Sequence, residues 1–301
     1  MPAASKTLAL LLDSSENLYQ QLIARDALTR AATRGITLLA TEWAGGSSWA
    51  QIEKINALLR KDAPPDGVMI MLAGGLTRGP VERLVKAGSA LVVIQRVPDW
   101  LPALRSAYPS ALVASVAPRQ RGIGEIQAAH ARRLARPGAF VLLITGDATT
   151  PAAIQRRDGF IEAIGSHFAI HMLDGRWTAK DAEKVLDDWL RLASERERSP
   201  ELIVCHNDTM AAGARKALAR HAAASGRDEL LAIPLVGCDG LEQEGRKMLE
   251  RGELAATVEM PSSAPAALEL FQRFWDTGAR AESSLIECSS LPPLERVAMA
   301  R

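Results

Sequence analysis

The sequence predicts an α/β protein of two similar doubly wound parallel-sheet lobes joined by a three-crossing hinge. Short, wholly apolar runs alternate with helical patterns, as parallel strands covered on both faces require. The chain has 301 residues, more than a single core usually serves, so two domains are expected. The strand–helix series is interrupted once, near Ser115–Gly122, and then resumes.

In the first series the apolar runs Leu8–Leu12, Thr37–Thr41, Val68–Leu72, Leu91–Gln95 and Leu112–Ser115 read as strands. Helical patterns at Tyr19–Thr33, Trp49–Lys61 and Val81–Ala87 separate them. The second series has strands at Phe140–Thr145, Ala169–Leu173, Leu202–His206 and Ile233–Cys238. Its helices are expected at Gly124–Leu134, Ala152–Ile164, Ala179–Ala193, Thr209–Ala223 and Gln243–Arg251. Each should pack an apolar stripe on its sheet, as Leu186, Trp189, Leu190 and Ala193 would. The charge run Glu195–Ser199 reads as a solvated helix end.

Composition excludes several function classes. A formal charge of +1 gives no electrostatic reason to expect nucleic acid or an anionic membrane. Cys205, Cys238 and Cys288 lie 33 and 50 residues apart, which is neither a zinc nor a redox pattern, and each adjoins an apolar run as a buried free thiol would. The five histidines show no metal-ligand spacing, and GxSxG, HExxH and GxxxxGK[ST] are absent. Gly122-Ile-Gly124 reads as a flexible loop. No nucleophile–base pairing is apparent, so no enzyme and no cofactor are expected. Nothing before Leu8 supplies a secretory signal or room for a helix-turn-helix, so the chain reads as starting on its first strand. No apolar stretch approaches the ~20 residues of a membrane span.

Ligands of open α/β sheets collect at the carboxyl ends of strands. The tract Leu235–Pro261, LVGCDGLEQEGRKMLERGELAATVEMP, places Asp239 at one such end, and a second short β-type run, Leu254–Val258, leads to Glu259. Two acids about 20 residues apart, each at a strand end, look like parts of one site. In Leu202–Ala217, LIVCHNDTMAAGARKA, a strand ends on His206-Asn207-Asp208, and Asp208 or Thr209 can cap the following helix. Leu91–Arg96 (LVVIQR) also ends a strand, Ser14–Tyr19 with Asn17 follows the first strand, and Gln155–Ala163 (QRRDGFIEA) falls within a predicted helix.

These tracts resemble the type I periplasmic binding proteins and the related lac-repressor-type sensor domains, over nearly the whole chain. The resemblance rests on VGxDG followed by a helix and GxLxATVxQxP, on NDxxAxGAxxAL, on RxxGFxxA and on SxxNxF. It implies a ligand site of Asn17, Tyr19, Gln95, Arg96, Arg156, Trp177, Asn207, Asp239 and Glu259, with Asp208 mainly structural. Arg157 is read instead as an exposed arginine paired with Asp158 or Glu162. The chain departs from the sugar-binder pattern at Gln95, where an acid is usual, at Glu259, where Gln is usual, and at Val116, where Asp is frequent. These departures favour an amine-bearing, modified or non-sugar polyol over a common hexose or pentose.

Such residue types suit a polyol, whose hydroxyls both donate and accept. Carboxylates accept from them, arginines donate through a fork, and amides do both. Aromatic faces cover the apolar C–H side of a sugar ring. The resemblance implies reversible capture of a sugar-like ligand between the lobes by hinge closure, as the substrate-binding component of an ABC-type importer with a permease as partner. A cytosolic sensor of the same fold, signalling to a regulator or kinase, is the alternative. The expected lobes are 6–114 with 262–286, and 115–261 with 287–301. A periplasmic location follows from the family and a cytoplasmic one from the absent signal.

Overall fold

The computed structural model describes residues 5–75, 77–192 and 200–299. The charge run at Glu195–Ser199 and the last stripe residue, Ala193, lie outside them. The chain forms two compact units, residues 1–118 with 262–286 and residues 119–261 with 287–301.

The first unit opens with β1 (Thr7–Leu12), α1 (Leu18–Thr33), β2 (Thr37–Trp43), α2 (Ser48–Leu59), β3 (Gly67–Ile70) and α3 (Arg78–Lys86). It continues through β4 (Ala90–Ile94), α4 (Leu101–Ala107) and β5 (Val113–Pro118). The chain then builds the second unit from α5 (Gln120–Leu134), β6 (Phe140–Thr145), α6 (Pro151–Ile164), β7 (Ala169–Asp174), α7 (Ala179–Leu192) and β8 (Leu202–Cys205). That unit is extended by α8 (Asp208–Ser225), β9 (Leu235–Val236), a π-turn at Glu242–Arg246, α9 (Lys247–Glu250) and β10 (Thr257–Glu259). The chain returns to the first unit with α10 (Ala264–Thr277) and β11 (Ser283–Ile286), and to the second with β12 (Ser289–Leu291).

In the first unit the strand order is β11-β5-β4-β3-β1-β2, every described pair parallel. Strand alternation splits its apolar residues between two layers. Ala9, Leu11, Val68, Ile70, Leu91 and Val93 pack with Val81, Leu84 and Leu101 on one side. Leu8, Leu10, Leu12, Met69, Val92 and Ile94 are fully buried as well. Strand β2 lies at an edge, and none of its residues is fully covered.

The second unit has a parallel sheet in the order β7-β6-β8-β9. Leu142, Ile144, Ile203 and Cys205 face α7 and α8, where Leu186 is buried and Trp189 and Leu190 partly so. Val141, Leu143, Leu202, Val204 and Val236 join Phe160 and Ile164 on the opposite face. Parallel bridges Val236↔Ala256 and Asp239↔Glu259 carry the sheet on to β10, which pairs antiparallel with β12.

Four expectations need correction. The interruption at Ser115–Gly122 contains the division between the two units, and there β5 runs to Pro118 and α5 starts at Gln120. Gly122 and Gly124 are therefore helical rather than a flexible loop, and Gly124 has a packing role. A Cβ there would sit 2.1 Å from the carbonyl oxygen of Arg156, and one on Gly159 would sit 2.2 Å from that of Arg121. These reciprocal glycines let α5 and α6 touch backbone to backbone. The helix expected at Gln243–Arg251 begins as a π-turn, where Gly245 presses against the Asp208 carboxylate. Helices α4 and α10 had no counterpart in the expected element list: both begin with Pro in the first turn, and α4 has only seven residues. Of the three cysteines, Cys205 and Cys238 are buried but Cys288 is only partly covered.

Candidate functional site

Each unit carries a group of the expected residues at the carboxyl ends of its strands. In the second unit Arg156 is the centre, on the second turn of α6 and only 4 % exposed. Its Nε donates to Gln120 Oε1 at 2.6 Å, and its Nη1 donates to the His206 carbonyl and toward Cys238 Sγ at 3.5 Å. Its Nη2 points at Met260 Sδ, 3.6 Å away, and the guanidinium lies 5.2 Å from the centre of the Trp177 ring. The neighbouring Arg157 is half-exposed and bound to Asp158, while Glu162 pairs with Arg121. The closely spaced Gly124 and Gly159 thus set how deeply α6 sits, and with it where Arg156 reaches.

Trp177 follows β7 in a turn where Arg176 and Trp177 both take positive φ, 49° and 66°. Such values are uncommon for bulky side chains, so the surroundings must hold them. Gly146 makes the room: a Cβ there would fall 2.0 Å from the indole. Thr178 closes the turn by capping α7 through Asp181. The indole also lies 5.9 Å from the His206 ring.

Asn207, rather than Asp208 or Thr209, is the N-cap of α8. Its Oδ1 accepts from Met210 N at 2.8 Å, and its Nδ2 donates to the Trp177 carbonyl at 3.3 Å. Asp208 turns inward instead, fully buried, accepting from Thr257 Oγ1 at 2.6 Å and Gly240 N at 2.8 Å. Hypothetical Cβ atoms on Gly237 or Gly245 would each lie 2.0 Å from its oxygens, so the two glycines exist to seat this carboxylate. Burial and the neighbouring Asp239 push its pKa well up. Thr209 donates to Glu244 at 2.6 Å.

Asp239 stands three residues beyond the end of β9 with φ 112°, followed by Gly240 at 64°. Its N–H donates to the Val258 carbonyl at 2.9 Å, which puts it in register with Glu259. Burial raises its carboxyl to about 7, although Arg156 pulls it down. The two acids that stood out in the sequence are thus adjacent in the sheet. They differ in surroundings, because Glu259 is partly exposed and ion-paired with Arg246.

The first unit gathers Asn17, Tyr19, Gln95 and Arg96. Asn17 caps α1, its Oδ1 accepting from Gln20 N at 3.0 Å. Gln95 turns at the end of β4 with φ 71° and donates to Tyr19 Oη at 3.2 Å and Ser263 Oγ at 3.1 Å. Arg96 Nη2 donates to the Gly74 carbonyl. Val116 is fully buried in β5, opposite Ile94.

Sequence reading missed Gln120, which holds Arg156, and the chain's habit of bracing strand ends with buried glutamines. Gln20 accepts from the N–H groups of Asp13 and Ser14, Gln51 bridges Met71 and Ala73, and Gln127 bridges Cys205 and Gly237. The available signal was a Gln in an otherwise small or apolar helix face. Among the described residues no group of three or more His, Cys, Asp or Glu could hold a metal ion, and no helix is long and apolar enough to cross a membrane.

Two sheets of this topology, each with polar groups at its strand ends, define a binding-protein class, and comparison with known proteins agrees. The family described as periplasmic binding protein domain matches residues 8–267, and the chain belongs to it. Among curated proteins it is similar to the D-allose-binding periplasmic protein of Escherichia coli K12, 33 % identical over 126 residues, 42 % of this chain and 38 % of that one. It is also 30 % identical over 135 residues to the ribose import binding protein RbsB of Salmonella typhimurium, covering 45 % and 42 % of the two chains. The chain thus spans about two fifths of the length of the curated relatives it matches. Its fold is that of an ABC transporter periplasmic solute binding protein from Actinobacillus succinogenes 130z solved with D-allose, with a TM-score of 0.81 at 17 % identity, covering 97 % and 99 % of the chains. A Caulobacter myo-inositol binding protein gives 0.78 at 23 % identity, covering 96 % and 94 %.

Proposed function

We propose that the chain binds a small neutral polyhydroxyl ligand, a sugar or cyclitol, without chemical change, as the substrate-binding component of an ABC-type importer. The observation that carries this reading is the cluster in the second unit. A buried carboxylate (Asp239), a guanidinium (Arg156) beneath an indole (Trp177) and an amide (Asn207) converge at one sheet end. Acceptor, donor and flat apolar face are the three elements a sugar ring needs. The names of its relatives, which specify allose, ribose and myo-inositol, point the same way. The ion pair between Glu259 and Arg246 matches the extra charge that the sequence suggested for an amine, and so favours a neutral ligand. Asn17, Tyr19, Gln95 and Arg96 of the first unit are assigned to ligand binding as well. A membrane permease as partner and a periplasmic site of action belong to the same proposal.

The test is a thermal-shift and calorimetric screen of D-allose, D-ribose, L-arabinose, D-fructose and myo-inositol. A ligand at ~100 times its Kd adds about 2.7 kcal/mol of stability. Asn207→Ala and Asp239→Asn should abolish that shift, the second without strain, since Asn tolerates positive φ. Asn207→Ala should also cost about 1 kcal/mol through the lost cap. If both variants respond to the ligand like wild type, the site is wrong. Fractionation of producing cells tests the location: a pool confined to the cytosol would sink the importer role.

A further inference from the structure

Cys238 lies between β9 and Asp239, reads in the sequence as no more than a buried thiol, and is fully shielded from solvent. Consecutive side chains on a regular strand point to opposite faces. Here that alternation is broken, because Asp239 takes a positive φ of 112° and Gly240 follows at 64°. Backbone bonds on both sides pin the turn: Asp239 N–H donates to the Val258 carbonyl at 2.9 Å, and the Asp239 carbonyl accepts from Met260 N at 3.2 Å. The two side chains meet as a result, and the Cys238 thiol donates to the Asp239 carboxylate.

The same sulfur faces Arg156. Nη1 of that guanidinium donates to the His206 carbonyl and toward Cys238 Sγ, 3.5 Å away, which uses both of its hydrogens. Cys238 thus touches both the donor and the acceptor of the second-unit cluster. A thiol offers one weak donor and one weak acceptor, and here each has a partner. Burial pushes the thiol pKa well up, so the group stays an S–H with its hydrogen to give. Met260, directly after β10, places a second sulfur 3.6 Å from Nη2. The edge of Arg156 away from Gln120 therefore rests on soft acceptors, which the oxygen of a ligand hydroxyl outcompetes.

We propose that Cys238 is a positioning residue, whose thiol bridges Arg156 and Asp239 and holds the donor and the acceptor of the binding site in one arrangement. It acts through these two side chains rather than on the ligand. Without the thiol, an Nη1 hydrogen and an Asp239 oxygen lose a partner in a buried place, and both side chains are freer to turn away from a ligand. A carboxylate at this position would tie Arg156 into a permanent ion pair, and an apolar side chain would satisfy neither neighbour. A hydroxyl reproduces both halves of the bridge. This inference rests on the sugar-binding reading and adds to it the residue that sets the geometry of its donor and acceptor.

The experiment compares the full chain with Cys238→Ala and Cys238→Ser. Binding of D-allose, D-ribose and myo-inositol is measured by calorimetry across the range around pH 7 in which the Asp239 carboxyl ionises. Wild-type affinity should rise with pH there, because the carboxylate accepts through both oxygens. Cys238→Ala should bind about tenfold more weakly, and its rise should move to higher pH, since a hydrogen bond favouring the ionised carboxyl is gone. Cys238→Ser should restore both. Arg156, Asp208, Glu244 and Cys288 also act on Asp239, and Glu259 lies beside it in register; all three proteins keep them. If Ala and Ser weaken binding alike with the pH midpoint unmoved, Cys238 only fills space and the bridge is overturned. NMR of the Asp239 carboxyl carbon without sugar tests the bridge separately: it should titrate higher in Cys238→Ala than in wild type. An unmoved titration overturns the bridge alone, whereas a moved titration with no sugar bound by wild type overturns the sugar-binding reading alone.

Discussion

Arg156 shows how much one residue's neighbours decide. Its sequence neighbour Arg157 has the same chemistry and sits one helical step away, yet it is half-exposed in a pair with Asp158. Such a surface pair contributes little, of the order of 0–1 kcal/mol. Arg156 instead spends its fork on Gln120 and the His206 carbonyl beneath an indole. An ammonium cannot reproduce that fork. Arg156→Lys should therefore lower stability by about 1–3 kcal/mol, the cost of buried partners left unmet. Arg157→Lys should stay within about 0.5 kcal/mol. Urea denaturation of the two variants checks the contrast, and equal losses would show that burial at 156 has been misjudged.

At the scale of elements, the contact between α5 and α6 ties a helix crossing to a functional side chain. Alanine is ordinarily better than glycine inside a helix by about 1 kcal/mol. At Gly124 the opposite should hold, because the added methyl would meet the Arg156 carbonyl at 2.1 Å, and backbone cannot swing aside. Overpacking of this kind costs about 1–3 kcal/mol and outweighs the propensity gain. Gly124→Ala should thus destabilise the protein and weaken ligand binding by displacing Arg156, whereas Gly79→Ala in α3, with open space around it, should do neither. Chemical denaturation and the sugar titration together report both effects. Legibility at this scale was uneven. The glycines of QRRDGFIEA and NDTMAAGARKA stood out as words, but the words did not reveal their partners. Gly213 meets the Ala179 carbonyl of α7, and Gly124, taken for a loop, meets α6.

For the whole molecule the consequence is a balance in pH. His130 is fully buried, its Nε2 2.7 Å from Ser290 Oγ, and burial lowers its pKa from 6.5 to about 4. Between these values the unfolded chain binds the extra proton, so this residue makes stability rise with pH. Asp239 is raised from 3.8 to about 7, so the folded state binds the extra proton and stability falls with pH over nearly the same range. Each effect is on the order of 3–4 kcal/mol, and they oppose one another. Buried His206, held well below its usual value, adds to the first, and Asp208, held well above, adds to the second. His130→Gln should leave stability falling from pH 4.5 to 7 relative to wild type, and Asp239→Asn should leave it rising. Urea midpoints at the two pH values decide the matter, and two variants that merely parallel wild type would refute it.

The sequence by itself determined the α/β class, the alternation of strands and helices, and the positions of most elements. Those follow from local periodicity, since an apolar run flanked by polar turns has few alternatives. It also brought forward Asp239 and Glu259 by their places at strand ends, and Arg156 and Asn207 through the resemblance of their tracts to a known family. Only the tertiary structure decided what these side chains do. It made Asn207 the cap and Asp208 the buried anchor, paired Glu259 with Arg246, and joined Gln95 to Tyr19 from 76 residues away in the chain. Charge and hydrogen bonding act through space at a few ångströms, and that distance is fixed by packing between strands, which no local pattern encodes.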